Sequence, residues 1–411
     1  MATKMSQAEL GVFNPETYAN GDPATFGLPL ESFKYLREEE PVCLHKFDDP
    51  LLVPELYVVS RHEDIEMVDR DSETYASGLN SVNFWAFAPI GDAVGAPAML
   101  TQDGEKHRET RRIVSRAFTP KMVKGLEDKF REYAVAVIEP ALAKGEPFNF
   151  IDDIAHLMPM QALGDVLGVP EEDRPKFFHW VDQFAAPFDT RITPSFEDVG
   201  KAIMELFGYA LDLEKLRKAQ PGDDIMSKIA EAGLPEGEVR GNVVLLASGA
   251  AESTRTSLGH GLHELMRRPD QMAWLREHAD DIPLTAAQEI VRISSPFTHL
   301  CRTTTKDVEL HGVELKAGSI VAMLFAAGNF DTDAFDNPND FDLTRSPNPH
   351  LSFGRGPHSC LGKHVAALEI KILLEELLQR TKDIRPAGPI SYIRDAYSRG
   401  VYQLPVTMEA A

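Results

Sequence analysis

The stretch Phe353-Gly354-Arg355-Gly356-Pro357-His358-Ser359-Cys360-Leu361-Gly362 gathers residue types from which a metal or cofactor site can be built. Cys360 stands at the expected start of a helix, where unpaired N–H groups and the positive end of the helix dipole favour a thiolate. Gly354 and Gly356 open conformations closed to other residues and let the main chain approach a flat partner. Gly362 leaves room for a bulky group against the first helical turn. The plainer alternative is a buried cysteine in a glycine-rich turn. Cys43, Cys301 and Cys360 are the three cysteines of the chain, an odd set that gives no disulfide framework and suits a reducing compartment.

Four further constellations could do chemistry. Glu289-x-x-Arg292 puts a carboxylate and a guanidinium on one helical face, which by itself is an ordinary surface ion pair. His107 and Arg111, four apart, share a face that without context is simply polar. Gly249-Ala250-Ala251-Glu252-Ser253-Thr254-Arg255 groups residues that are locally unfavourable inside a helix, so a ligand or a distortion is expected there. Glu252 can relay protons, and the adjacent hydroxyl can hydrogen-bond an oxygen being protonated. His260-x-x-His263-Glu264 sets two imidazoles on one turn, a candidate metal pair that matches neither common zinc-protease order. A polar outer face is the alternative.

The elements that must position these groups are legible in outline. Between Pro235 and Arg268 no proline interrupts the chain. Val239, Val243, Leu246 and Ala250, then Leu258, Leu262 and Leu265, keep helical spacing, giving one helix of roughly 30 residues that crosses the core. Thr119-Pro120 and Pro269-Asp270 start other helices. Leu56–Val59 reads as a strand, followed by a helix over Ser60–Asp69. After Pro296 the chain reads as strands, with turns at His311-Gly312 and Lys316-Ala317-Gly318. Phe330–Pro349 has no periodicity, and Leu361–Arg380 is helical. The fold class is mostly α with a smaller β part, in a single domain over 1–411. The segment from Ser77 to Pro97 carries Phe84, Trp85 and Phe87, which must bury on the domain or on a ligand.

The cysteine loop resembles the haem-binding loop of the cytochrome P-450 superfamily, Phe-x-x-Gly-x-His/Arg-x-Cys-x-Gly. The resemblance implies the cytochrome P-450 fold, with the long central helix over haem b (iron protoporphyrin IX), and Cys360 as the axial thiolate to its iron. Phe353, Gly354, His358 and Gly362 would surround the haem. His107, Arg111, Arg302 and His358 would meet its propionates. Glu289-x-x-Arg292 resembles the pair that holds the cysteine loop, with Arg345 as a third member. The segment 249–254 resembles the oxygen-activating stretch Ala-Gly-x-Asp/Glu-Thr-Thr, which makes Glu252 and Ser253 catalytic and Thr254 a rival for the hydroxyl. Ala250 and Ser253 replace the usual Gly and Thr. Asn329-Phe330-Asp331 stands where many bacterial members have Asn-Arg-Asp.

The activity implied by the resemblance is that of a monooxygenase oxidising a hydrophobic small molecule such as a terpenoid, steroid or aromatic compound. Its pocket would be lined by Phe84, Trp85, Phe87, Leu246, Ala250, Phe297, Thr298 and His299, with Phe184 and Phe188 at the roof; core packing is the alternative for each aromatic. Electrons would come from a ferredoxin and ferredoxin reductase, docking on Arg112, Arg116, Lys121, Arg355 and Lys363. A peroxide-driven member would carry Arg-Pro in place of Glu252-Ser253, and a non-catalytic haem protein would have no use for that pair.

Charge and composition bound the rest. With 42 Lys+Arg against 64 Asp+Glu the net charge is −22, which disfavours nucleic acid and anionic membrane as partners. No signal peptide and no run of 18 apolar residues is visible. The expectation is a cytoplasmic monomer with neither a membrane anchor nor a fused reductase.

Overall fold

The computed structural model describes residues 5–79, 82, 96–118, 120–187 and 189–411. Phe84, Trp85, Phe87, Thr119 and Phe188 lie outside the described residues.

The long helix runs unbroken over Glu236–Arg267, 32 residues or about 48 Å. It opens after Pro235 and ends at Arg268, where Pro269 starts the helix Pro269–Glu277. Its C-terminal half is buried nearly all round, as an internal helix must be. Leu258, Leu262 and Leu265 join the largest hydrophobic cluster, together with the helices Glu127–Ala143, Leu284–Ser294 and Lys363–Arg380. Val239, Val243, Ala247 and Ala251 join a second cluster, with the helices Leu157–Leu167, Arg174–Ala185 and Phe196–Ala219. The expected distortion near Ser253 is absent. Its hydroxyl donates to the carbonyl of Gly249 at 2.8 Å, four residues back, and the main chain keeps its helical path.

The β part is smaller than the helical part. Five strands lie in the order Val42–Lys46, Glu55–Val59, Ile320–Met323, Leu300–Thr304 and Tyr75–Ala76. Glu55–Val59 and Ile320–Met323 are parallel, and the other neighbours are antiparallel. The segment after Pro296 forms strands with turns where the sequence puts them. Val308–Leu310 and Val313–Leu315 form a separate hairpin on His311 and Gly312, both at positive φ. The C-terminal strand Pro405–Ala410 pairs with Thr381–Pro386 and Phe148–Asn149, an arrangement no local pattern announces. Among the described residues no helix is long and apolar enough to cross a membrane.

Candidate active site

The cysteine loop is closed by its own backbone: Cys360 N–H donates to Phe353 O at 2.8 Å and Gly354 N–H to Leu351 O at 2.7 Å. Gly354 and Gly356 have φ of +64° and +62°, where a side chain would be strained. They face the end of the helix His62–Arg70 rather than open space. A Cβ on Gly356 would lie 2.7 Å from Asp69 O, and one on Gly354 3.1 Å from Asp69 Oδ2. Gly362 is the open one, with only Cys360 Sγ nearby, at 4.0 Å. Cys360 is enclosed by the fold yet exposed, because it opens on space inside the molecule. Burial pushes its thiol up. The N–H groups of Gly362 and Lys363 and the charges of Arg111 and Lys363 oppose that without overcoming it. The helix start alone does not make this cysteine a thiolate.

Behind the loop, Glu289 and Arg292 are fully buried and joined by two 2.8 Å bonds. Arg292 also donates to the carbonyls of Asn329, Pro338 and Asp340 at 2.8–2.9 Å. Arg345 reaches Glu289 at 3.2 Å and donates to Asp336 O at 2.7 Å. The irregular stretch before the loop is thus bound by two guanidinium groups that share one carboxylate. Phe330 is buried with its ring 5.2 Å from the Arg292 guanidinium carbon, covering the charge from the other side. Asn329, which the sequence singles out only as part of Asn329-Phe330-Asp331 and without a role, bonds Ser295, Ser352 and the N–H of Leu351. The only sequence signal for it was the neighbouring Phe330-Asp331.

On the other side of the loop stand the cationic candidates. Arg111 Nη2 donates to Ser359 O at 2.5 Å, tying its helix, Gly104–Val114, to the loop. The rings of His107 and His358 lie 4.0 Å apart, and the Nε2 of each is buried without a hydrogen-bond partner. Burial, then the charges of His358 and Arg111, press His107 down to about 4. Burial also lowers His358, opposed by Asp103 at 3.8 Å. Arg302 has a partner of its own: Nη2 donates to Asp69 Oδ1 at 2.7 Å, with both side chains buried.

The long helix carries one face that its neighbours leave partly open. Leu246, Ala250 and Ser253 are half-buried and Gly249 is exposed, with nothing within 4 Å of the place a Cβ would take. Leu246, Ala250 and Leu361 pack on the same cluster. Glu252 points off this face and is buried against Arg255. Arg255 lies 3.4 Å from His156 Nδ1 and 3.7 Å from Asp182, and His156 Nε2 lies 3.3 Å from Asp182. Burial raises the Glu252 carboxyl, opposed first by Arg255. Thr254 turns away from Ser253 and meets Glu369, a buried acid on the helix after the cysteine, raised to about 8 by burial. Phe297 is half-buried against Tyr397 with ring centres 5.2 Å apart. Thr298 and His299 are not brought to the open face: both are fully buried, Thr298 on Ala396 O and His299 against the ring of Phe13. Phe184 is half-buried on the helix Arg174–Ala185. The imidazoles at 260 and 263 part company: His260 donates to Arg399 O and stacks on Tyr392, while His263 turns to Glu264. No cluster of three metal-ligating side chains occurs among the described residues.

The fold that carries this clamped cysteine loop and the long helix recurs in known proteins. Residues 55–382 match the family Cytochrome P450. A steroid C26-monooxygenase of Mycolicibacterium smegmatis is 33% identical over 390 residues, 91% of this chain and 89% of that protein. A putative cytochrome P450 126 of Mycobacterium tuberculosis is 35% identical over 397 residues, 93% of this chain and 94% of its own length. The crystal structure of CYP108D1 from Novosphingobium aromaticivorans superposes with a TM-score of 0.87 at 29% identity, covering 100% of both chains. That of Mycobacterium marinum CYP268A2 in complex with pseudoionone gives 0.87 at 32%, covering 99% and 100%. The chain belongs to the cytochrome P450 family. It is a P450 monooxygenase, and haem is its cofactor. The residues present fit that group. A thiol opens inward, two buried imidazole nitrogens near it lack hydrogen-bond partners, and the open face of the long helix is stripped of a side chain at Gly249.

Proposed function

We propose that the chain hydroxylates a hydrophobic, steroid- or terpenoid-like molecule, taking electrons from a ferredoxin. The observation that carries the reading is the partly open face Leu246–Gly249–Ala250–Ser253 of the long helix, which shares a hydrophobic cluster with Leu361, next to Cys360, and offers an extended apolar molecule a long surface with one hydroxyl at its end. The activities of two relatives support it: a steroid C26-monooxygenase, and a methyl-branched lipid omega-hydroxylase of Mycobacterium bovis.

In this reading Cys360 holds the haem iron through sulfur, with Phe353, Gly354 and Gly362 around it. His107, Arg111 and His358 hold its carboxylates, and Arg302 takes part from behind. When bound, the haem activates dioxygen. The chain's own part is to bring protons in order and keep bulk water out. Glu252 is the inner proton carrier. Its Oε1 is held by Arg255, and its Oε2 has no hydrogen-bond partner. A carboxyl that keeps one oxygen unengaged can accept a proton from outside and present it inward after a side-chain rotation. Ser253 keeps a hydroxyl on the open face. Its own proton rests on Gly249 O, which leaves the oxygen as an acceptor. Glu289, Arg292 and Arg345 hold the loop. Arg112, Arg116 and Lys363 are exposed around the loop and the Arg111 helix, where they would steer an acidic ferredoxin despite the net charge.

The test is a titration of the ferric protein with steroids, terpenoids and simple aromatics, read as the low- to high-spin shift, followed by product analysis with a ferredoxin system. A shift and hydroxylation with steroids or terpenoids are expected. Binding only of small polar or aromatic compounds would overturn the substrate class.

A further inference from the structure

Asp69 closes the helix His62–Arg70 and is buried, although its neighbours Arg70 and Asp71 are ordinary surface residues. Each of its carboxylate oxygens has a different distant partner. Oδ1 accepts from Arg302 Nη2 at 2.7 Å, and Oδ2 accepts from the main-chain N–H of Arg355 at 2.6 Å. Arg302 comes from the strand Leu300–Thr304, and Arg355 lies between the two positive-φ glycines of the cysteine loop. The backbone approaches as closely as the side chain does, since any Cβ on Gly356 would meet Asp69 O at 2.7 Å and Arg70 Cα at 2.9 Å. One residue therefore joins its own helix to two segments of the haem site, 233 and 286 positions away from it.

We propose that Asp69 is a positioning residue of the haem site, fixing the direction in which Arg302 presents its charge and clamping the Gly354–Gly356 turn that leads to Cys360. The physical reason lies in the burial. A guanidinium that is 1% exposed needs a counter-charge to stay inside. Asp69 supplies it and in doing so fixes one edge of the planar group. Nη1 is fixed too, on Cys301 O at 2.9 Å, so the group is oriented at both ends. The same carboxylate places one negative charge beside a site that also holds an anionic cofactor. It therefore offsets part of the positive field of Arg302 and keeps the site from attracting an extra electron too strongly. The Arg355 N–H bond is charge-assisted and stronger than a neutral one, and it ties to another element a loop whose remaining main-chain bonds, from Gly354, Ser359 and Cys360, all stay within the loop. The proposal rests on the haem-binding reading of Cys360 and Arg302.

The test compares Asp69→Asn with wild-type holoprotein. It reads the midpoint potential by redox titration, haem transfer to excess apomyoglobin, and amide exchange over residues 351–362. Loss of one negative charge should move the potential upward. Loss of the clamp should speed haem transfer on the order of tenfold, the usual scale for a charged hydrogen bond, and loosen the loop amides. Asp165→Asn, which breaks the buried pair with Arg174 on other elements, is the control. It should lower thermal stability and leave potential and transfer rate alone. If Asp69→Asn changes only stability, as the control does, the proposal is overturned. In an Arg302→Gln background the potential shift from Asp69→Asn should shrink, and an undiminished shift would remove Arg302 from the argument. Should Asp69→Asn fail to fold, Asp69→Glu serves: it keeps the charge, so transfer should quicken with little change in potential, and an unchanged transfer rate would refute the clamp. A wild type without a ferrous-CO thiolate band would instead sink the haem-thiolate reading itself.

Discussion

Glu289 and Arg292 lie three apart on the helix Leu284–Ser294, and Glu252 and Arg255 lie three apart on the long helix; all four are buried. Their surroundings differ. Glu289 accepts from Arg292, Arg345, Asn348 and the N–H of Asp342, so both oxygens are fully engaged. Glu252 has Arg255 alone on one oxygen, while Oε2 and the Nε of Arg255 have no partner. Arg255 in turn leans on His156 and Asp182. A saturated buried network is rigid, and an unsaturated one can change protonation or rotate. The same tetrapeptide spacing thus serves as a fastening in one place and as a candidate relay in the other. The difference is supplied by residues elsewhere in the chain.

Removing the carboxylate should separate the two pairs. Glu289→Gln leaves Arg292 and Arg345 facing an amide in a buried site, a loss of about 3–5 kcal/mol. Expression with haem should collapse, and the urea midpoint of whatever folds should fall sharply. Glu252→Gln should change stability by only about 1 kcal/mol, because Asp182 and His156 still attend Arg255. It should slow turnover by about 100-fold. The comparison fails if the two variants lose similar stability, or if Glu252→Gln turns over normally.

The hydroxyls beside Glu252 sharpen the relay side of the comparison. Ser253 lies on the open face and Thr254 is directed at Glu369. Ser253→Ala should bind substrate and consume reduced nicotinamide as before, but release several-fold more hydrogen peroxide per product formed. Ser253→Thr should couple as well as wild type or better, since the added methyl restricts the hydroxyl. The measurement is product against nicotinamide oxidised. If Thr254→Ala uncouples and Ser253→Ala does not, the hydroxyl belongs to Thr254.

How much of this could be read beforehand depends on how local each cause is. The cysteine loop and the long helix rest on spacing within a few turns, and both were legible. The pairing of Glu289 with Arg345 was legible only through family resemblance. Asp69, Asn329 and the Arg255–His156–Asp182 set were not, because each has partners that no window of sequence brings together. Mid-helix Gly249 and Ser253 suggested a ligand or a distortion. The structure keeps the helix instead, since Ser253 finds a carbonyl one turn back and Gly249 removes a side chain without removing a hydrogen bond. His299 looked like a pocket residue from its place after Pro296, yet the N-terminal Phe13 covers it. Phe330 made no sense in sequence and makes sense as a lid on Arg292.

Glu369 extends the comparison to a carboxyl on which, among the described residues, no cation acts: burial raises it and the Thr254 hydroxyl opposes the rise. Burial disfavours the charged form, so the group stays protonated in the folded protein up to about 8 against an ordinary 4.5. In the unfolded chain it ionises near 4.5. Between those values the unfolded state has lost a proton that the folded state keeps, so stability falls as pH rises, by at most about 1.4 kcal/mol per pH unit. Below that window both states are protonated, and above it both are ionised, so the slope vanishes at either end. Glu369→Gln mimics the protonated form at every pH. It should match wild type at the acid end and exceed it increasingly toward about 8, then hold a constant lead. Urea midpoints of wild type and variant across this range give the result. Parallel curves would mean that Glu369 ionises normally, with a counter-charge or water reaching it at the crossing of the two helices. A gap that opens with rising pH marks it as the neutral member of the three, opposite to Glu289, whose two oxygens are filled by donors from Arg292, Arg345, Asn348 and the N–H of Asp342.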